Sequence, residues 1–491
     1  NALAATGDPA VIPALNALAA GDLFVRKDDG AVVIATKAPG RTYALSHPLS
    51  GAQMSTVKKR EISKIKVNNG LRRAIRTALS GLTLMSPDKA VRIAAVDNLF
   101  KSGDGDAVEA LDIAIDAESD ADVKLLMEQA QAATILRTAL PAEQKMAALA
   151  ILGGRGDRDA LSAIIGFRNN AEGELLAAAI AAQQRVERNL AKWQTAQNIW
   201  YGVSLGSVLL LAAIGLAITF GVMGVINMAH GEMVMLGAYT TFMVQEVIRN
   251  SWPGLFDYSL AIALPLAFLV SAGVGLCIER GIIRHLYGRP LETLLATWGL
   301  SLILQQAVRT IFGPTNREVG NPEWMSGAFN IGQMTITYNR MWIVIFSLLV
   351  FAILLVVLRK TSFGLQMRAV TQNRAMAASM GIRTPWIDGL TFALGSGVAG
   401  LAGVALSQID NVSPNLGQGY IIDSFMVVVF GGVGNLWGTL VGAMTLGVVN
   451  KFLEPYAGAV LGKIFVLVFL ILFIQKRPRG LFALKGRAVE A

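Results

Sequence analysis

Long apolar runs crowd the second part of the chain and are rare in the first. They fall at 200–220, 233–248, 258–279, 291–312, 341–358, 385–407, 422–434, 436–453 and 459–475. Most approach the ~20 residues that a bilayer-spanning helix needs. The run at 422–434 is too short to span comfortably, and it ends in Gly431-Gly432-Val433-Gly434-Asn435. A similar glycine-rich break, GVMGVINMAHGE at Gly221–Glu232, separates the first two runs. Two broken segments, one in each half of this region, suggest an internal repeat around a central path.

Ahead of residue 196 the period changes. Residues 1–20 read as helix, with Val11, Leu15 and Leu18 on one face. DLFVRKDDGAVVIATK (22–37) alternates about Asp29-Gly30, a hairpin signal. Pro39, Gly40, Pro48 and Gly51 mark 39–53 as loop. From 57 to Trp193 the pattern is helical and carries a repeat at an offset of 53, AAVDNLFKSGDGDAVEAL (94–111) against AALAILGGRGDRDALSAI (147–164). Leu99/Leu152, Gly103/Gly156, Asp104/Asp157 and Asp106/Asp159 coincide, and GDPAVIPAL (7–15) is a shorter echo. Units of helix, Gly-Asp turn and helix bury their apolar faces only by stacking, so a short α-solenoid of the HEAT kind is expected. In such turns the glycine ends one helix and the aspartate caps the next, a structural task rather than metal binding. The amphipathic stretch 174–195 leads to Trp200-Tyr201, a pair suited to a membrane interface.

Composition sharpens this division. The chain is 53% hydrophobic and only 16% charged, against roughly 25% charged in an average soluble protein. Residues 1–195 hold 24 Lys and Arg against 22 Asp and Glu, and the remainder holds 19 against 12. A charge-balanced domain thus precedes a hydrophobic, basic one. The lone Cys277 excludes an internal disulfide and reads as packing. The chain begins at Asn1 without a legible signal peptide, which is compatible with processing. Arg280, Arg284 and Arg289, then Arg359, Lys360, Arg368, Arg374 and Arg383, then Lys476, Arg477, Arg479, Lys485 and Arg487 fall in three segments. These should be cytoplasmic, which puts residues 1–195 and the loop 313–340 outside and makes 422–434 re-enter from outside.

In hydrocarbon each unpaired backbone group costs several kcal/mol, so irregular backbone is expected at depth only where it is buried in protein or lines a cavity. Ionisable groups there are functional candidates. Gly221–Glu232 therefore reads as pathway lining, with Asn227, His230 and Glu232 as substrate-pathway residues and Asn435 added from the second break. Glu232 is expected either to orient His230 or to cap the following helix. The alternative is a cytoplasmic turn between two ordinary helices. Gly202-Val203-Ser204-Leu205-Gly206 fits the nucleophile-elbow pattern but lies at the start of a membrane helix. Gly395-Ser396-Gly397-Val398-Ala399-Gly400 fits the dinucleotide pattern without a preceding strand, and reads as close helix packing. There is no phosphate-loop motif. His47, His230 and His285 are too scattered for a zinc site, so no metal is expected.

The basic segment FGLQMRAVTQNRAMAASMGIRTPW (363–386) is too polar for lipid and too helix-prone for a plain linker. It reads as a short surface helix that docks into a partner's groove, or as a solvated connecting helix. INMAHGEMVMLGAY (226–239), MRAVTQNRAMAASMGI (367–382), FMVVVFGGVGN (425–435) and KRPRGLF (476–482) resemble the permeases of branched-chain-amino-acid-type ABC importers. The resemblance covers about 196–485. It implies a coupling helix that seats on an ATPase, carried here by Arg368, Gln372, Asn373, Arg374, Ala377, Ala378 and Gly381, with Met376 where the importer motif has an acid. An N-terminal extracytoplasmic domain is a feature of the urea-type permease subunit, which the whole chain resembles.

The resemblance implies an all-α polytopic permease of the cytoplasmic (inner) membrane. It has a HEAT-like domain with a small β-hairpin at 1–195, a permease domain at 196–485 and a cytoplasmic tail at 486–491. It implies no enzyme activity and no cofactor bound by this chain. Its partners would be a second permease, two ATPases that use ATP, and an extracytoplasmic binding protein. Urea would be the solute, with branched-chain amino acids or short amides as the alternative. A channel or secondary transporter with an outer sensory domain would need no ATPase, and a membrane hydrolase would need Ser204 to be reactive.

Overall fold

The structure, a computed structural model, describes residues 11–38, 42–68, 82–103 and 105–482, with Gly70, Leu71, Ile75 and Leu79. The start of the GDPAVIPAL echo, Asp104, and the tail beyond Phe482 lie outside the described residues. The chain divides into two compact units, 1–192 and 193–491.

In the first unit α1 (Ile12–Ala20) ends at Gly21, whose φ of +77° suits glycine. The Asp29-Gly30 hairpin is present as β1 (Leu23–Arg26) and β2 (Val32–Ala38), with Leu23 opposite Ile34. It is only part of a five-stranded antiparallel sheet, ordered β4-β3-β2-β1-β5. The expected loop at 39–53 contains β3 (Thr42–Ser46) and leads to β4 (Gln53–Lys58), and β5 (Ile62–Lys64) pairs with β1 where helix was expected. Pro48 and Gly51, which suggested loop, lie between β3 and β4, whereas Pro39 and Gly40 lie outside the described residues. Val33, Ala35, Leu45 and Ile62 form the sheet's own small core.

Among the described residues that follow are α2 (Lys89–Ser102), α3 (Val108–Ala117), α4 (Ala121–Ile135), α5 (Ala142–Arg155) and α6 (Arg158–Arg168). Gly103 and Gly156, one repeat apart, end α2 and α5 in the left-handed conformation. Asp157 caps α6, accepting from Ala160 N at 2.8 Å. Asp88 and Asp120 cap α2 and α4 in the same way. The helix α4 packs against α2, α3 and α5, and Leu111, Met127, Leu149, Leu152 and Ile164 fill the core between them.

Among its described residues the second unit is mainly helical, with a hairpin, β6 (Ala328–Ile331) and β7 (Met334–Thr337), inside the expected 313–340 loop. Every apolar run lies on a helix: α7 (Gly173–Met223, of which residues from Trp193 belong here), α8 (His230–Ser251), α9 (Ser259–Gly281), α10 (Pro290–Phe312), α11 (Tyr338–Lys360), α14 (Thr384–Ser407), α15 (Leu416–Gly431) and α16 (Leu436–Lys476). The last turns at Gly458, φ +75°, so its two arms account for two runs. Between α11 and α14 lie α12 (Ser362–Gln372) and α13 (Arg374–Ser379).

Residues 206–219 of α7 are all buried, as are most of α14. Helices apolar all round belong in a core, whereas α9, α11 and α16 leave Leu269, Ile353 and Phe465 exposed. Glycines let the central helices touch backbone to backbone. A Cβ on Gly215 would enter the Gly395 carbonyl, and one on Gly237 would enter Gly400. Gly395 and Gly400 thus serve helix packing. The 16 residues of α15 reach ~24 Å at 1.5 Å per residue, short of the ~30 Å hydrocarbon core.

Candidate functional site

The helix of α7 stops at Met223, the chain turns through Gly224 at φ +66°, and α8 begins at His230. Asn227 shapes this turn: its Oδ1 accepts from Ala229 N at 3.0 Å and its main-chain oxygen from His230 N at 3.3 Å. Asn227, His230 and Glu232 are each 1% exposed. His230 Nε2 lies 2.9 Å from Ala212 O on α7. A carbonyl can only accept, so Nε2 carries the proton there. His230 Nδ1, Asn227 Nδ2 and Glu232 Oε2 are buried with no hydrogen-bond partner among the described residues.

Glu232 makes no hydrogen bond to His230. One helical turn does not bring positions two apart onto one face, so His230 turns to α7 and Glu232 turns to α10. Glu232 Oε1 accepts from Ser301 Oγ at 2.9 Å and from Gln305 Nε2 at 2.7 Å. Thr297, one turn earlier on α10, accepts from Met228 N in the break at 3.1 Å. Sequence reasoning missed this partner helix. Thr293, Thr297, Ser301 and Gln305 recur every fourth residue and are buried, while Leu291, Leu295, Trp298 and Leu302 on the other face are exposed. That is a helix with its polar stripe turned inward, and the four-residue spacing was the signal available.

The two breaks meet. A Cβ on Gly221 would lie 2.6 Å from Gly434 Cα. Asn435 is placed at the second break as the cap of α16, its Oδ1 accepting from Trp437 N at 3.1 Å and Gly438 N at 3.2 Å. Its Nδ2 donates to Phe482 O at 3.3 Å. The chain after α16 is stitched across this break, Leu481 N donating to Phe430 O at 2.9 Å. Asn435 is therefore next to the first break through backbone contact, with its side chain occupied locally.

The segment expected as one surface helix is two, α12 and α13. Asn373 interrupts them in extended conformation, and its Oδ1 caps α13 through Met376 N at 2.9 Å. Arg368 donates to Leu358 O, and Arg374 pairs with Asp388. Ala377 is buried; Gln372, Ala378, Met376 and Met380 are exposed. Gly381 turns the chain at φ +87° into α14. Ser204 is buried on α7, with Arg340 Nη1 3.4 Å from its hydroxyl.

A family model described as branched-chain amino acid transport system / permease component matches residues 198–474. The high-affinity branched-chain amino acid transport system permease protein LivH of Escherichia coli (strain K12) is 30% identical over 294 residues, covering 58% of this chain and 94% of LivH. BraD of Pseudomonas aeruginosa, named as the same kind of permease, is 29% identical over 292 residues, 58% of this chain and 94% of BraD. The ribose import permease RbsC of Escherichia coli (strain K12) is 25% identical over 269 residues, 53% of this chain and 78% of RbsC. No solved structure matches. With more than half of its length matched, the chain belongs to the branched-chain amino acid transport system permease family.

Proposed function

We propose that this chain is a permease subunit of an ATP-driven (ABC) importer in the cytoplasmic membrane, passing a small nitrogen-bearing solute inward by alternating access. The observation that carries the reading is the buried polar seam between α8 and α10, where Glu232, Ser301 and Gln305 bond to one another inside an apolar unit. Desolvating an amide without partners costs about 2–7 kcal/mol, so a polar solute needs such groups on its way. Asn227 and His230 extend the route with their unpartnered nitrogens, and Asn435 borders it at the second break.

The remaining subunits follow from the importer reading: a second permease, two ATPases against α12–α13, and an extracytoplasmic binding protein. ATP is bound by the ATPases and no cofactor by this chain. The basic residues of α12–α13 and of the chain end support a cytoplasmic side for those segments and an outer side for residues 1–195, read as a HEAT-like domain.

For the solute, the names of LivH and BraD favour branched-chain amino acids. Urea is a second reading, favoured by the first unit, which lies outside the matched residues 198–474. The deciding experiment is uptake of labelled leucine and labelled urea by the reconstituted complex. Leucine uptake that urea fails to compete supports the amino-acid reading, and the reverse supports urea. Deleting 367–382 should abolish ATPase association and uptake; survival of both would favour a channel or secondary transporter.

A further inference from the structure

Arg374 opens α13 and donates to Asp388 Oδ2. Asp388 lies in the first turns of α14 with no exposure, and its Oδ1 has no partner among the described residues. The same guanidinium covers Tyr287, with Cζ 4.6 Å from the ring centroid. Tyr287 donates its hydroxyl to Glu279 Oε1 at 2.9 Å. Glu279, 1% exposed, lies near the end of α9, with its other oxygen 3.7 Å from Arg280 Nε. Arg280 in turn covers Trp386 of α14 at 4.5 Å. Gly389 completes the closure, since a Cβ there would come within 3.1 Å of Glu279 Oε2. One arginine of the surface segment thus bonds α14 directly and reaches the end of α9 through Tyr287, in the turn that follows α9.

Two physical features make this clasp a candidate transmission point. Asp388 is buried while Arg374 is half-exposed, and a buried carboxylate deprived of its partner becomes an uncompensated charge, so losing Arg374 costs more than losing one partner of a fully exposed pair. And α14 is packed backbone to backbone on its neighbours: Gly395 abuts Gly215 of α7, Gly400 abuts Gly237 of α8, and Gly403 abuts Val234 of α8. Close-packed interiors pass strain on rather than absorbing it. The start of α8 is where His230 and Glu232 sit.

We propose that the Arg374–Asp388 pair is the link through which force applied to α12–α13 reaches α14, and through its glycine face the polar break at the head of α8. Asp388 and Tyr287 are positioning residues in this scheme. It rests on the reading that ATPases dock on α12–α13.

The test uses the assembled complex in proteoliposomes, with labelled leucine and labelled urea each offered as the transported probe, and reads solute taken up per ATP hydrolysed. Retention of the ATPases is measured separately. Asp388→Asn is expected to keep the ATPases bound and hydrolysing while lowering that ratio at least tenfold. The double exchange Arg374→Asp with Asp388→Arg is expected to recover it to within about threefold of the starting chain. An unchanged ratio in Asp388→Asn overturns the proposal, as does a double exchange no better than Arg374→Asp alone. Should Asp388→Asn fail to insert, Tyr287→Phe removes only the hydroxyl: a ratio lowered several-fold supports the link, and an unchanged one overturns it. Failure of the unaltered chain to retain ATPases is a different result, and removes the docking reading itself.

Discussion

Replacing Gln305 by leucine tests whether the α8–α10 seam is an energetic unit. The substitution removes the donor that lies 2.7 Å from Glu232 Oε1 and leaves Ser301 at 2.9 Å. Hydrogen bonds to charged groups contribute about 1.5–3 kcal/mol in water-soluble proteins. Between membrane helices the measured average is nearer 0.6 kcal/mol with a maximum of about 1.7, because the separated helices still find partners in the bilayer. The full burial of Glu232 favours the upper end, and the surviving Ser301 bond moderates the loss. The expected destabilisation is about 1–1.7 kcal/mol, close to a tenfold change in the folded ratio. The assay is unfolding of the purified full chain in mixed micelles titrated with dodecyl sulfate. A double-mutant cycle with Glu232→Ala should return a coupling of about 1 kcal/mol. Additivity within about 0.3 kcal/mol would mean that Gln305 and Glu232 are neighbours without an energetic bond, and the seam would lose its standing as a site.

Gly215→Val should destabilise the full chain by about 3 kcal/mol in the same micelle assay, at the upper end of overpacking costs, because the obstructing Gly395 carbonyl is backbone. Gly273→Ala on α9, with nothing within 4 Å, is the control and should be neutral or stabilising; equal effects would refute the close-contact argument. Asp157→Ala removes the cap of α6 and should cost about 1 kcal/mol, read as faster amide exchange in α6, with unchanged exchange counting against the cap. Glu118 is held below its ordinary range first by the backbone N–H of Asp120 and then by Arg92. A depressed carboxylate stabilises the fold above its unfolded pKa, ~4.3, and the contribution is lost as pH falls through the lower folded value. The α3–α4 corner should therefore loosen in acid, and Glu118→Gln should flatten that dependence; an identical acid profile in both chains would exclude it.

The residues that showed themselves in sequence did so through period or backbone need. Runs of apolar residues located α7–α11 and α14–α16 of the second unit, though not the division of the polar segment into α12 and α13, and Gly103, Gly156 and Asp157 announced helix ends because few other residues fit there. The break at 221–232 was legible for the same reason. The sheet was read short, since strands of three to seven residues broken by turns carry little periodic signal. Ser301 and Gln305 were hidden because hydropathy averages a helix over all its faces, and their stripe is opposed by leucines. Asp388 was hidden because its importance lies in Arg374, 14 residues earlier, and sequence distance says nothing of that pairing.

The inward polar stripe of α10 bears on how such a helix could move. Peeling an apolar helix from its neighbours exposes oily surface at about 25 cal/mol per Å2. Lifting α10 from α8 would uncover hydroxyl and amide groups at Thr297, Ser301 and Gln305, each of which a water or a passing solute can satisfy. Separation there exchanges one set of hydrogen bonds for another of similar strength. A wall built this way can work as a shutter whose open and shut positions differ little in free energy, so that a modest push from outside the bilayer decides between them.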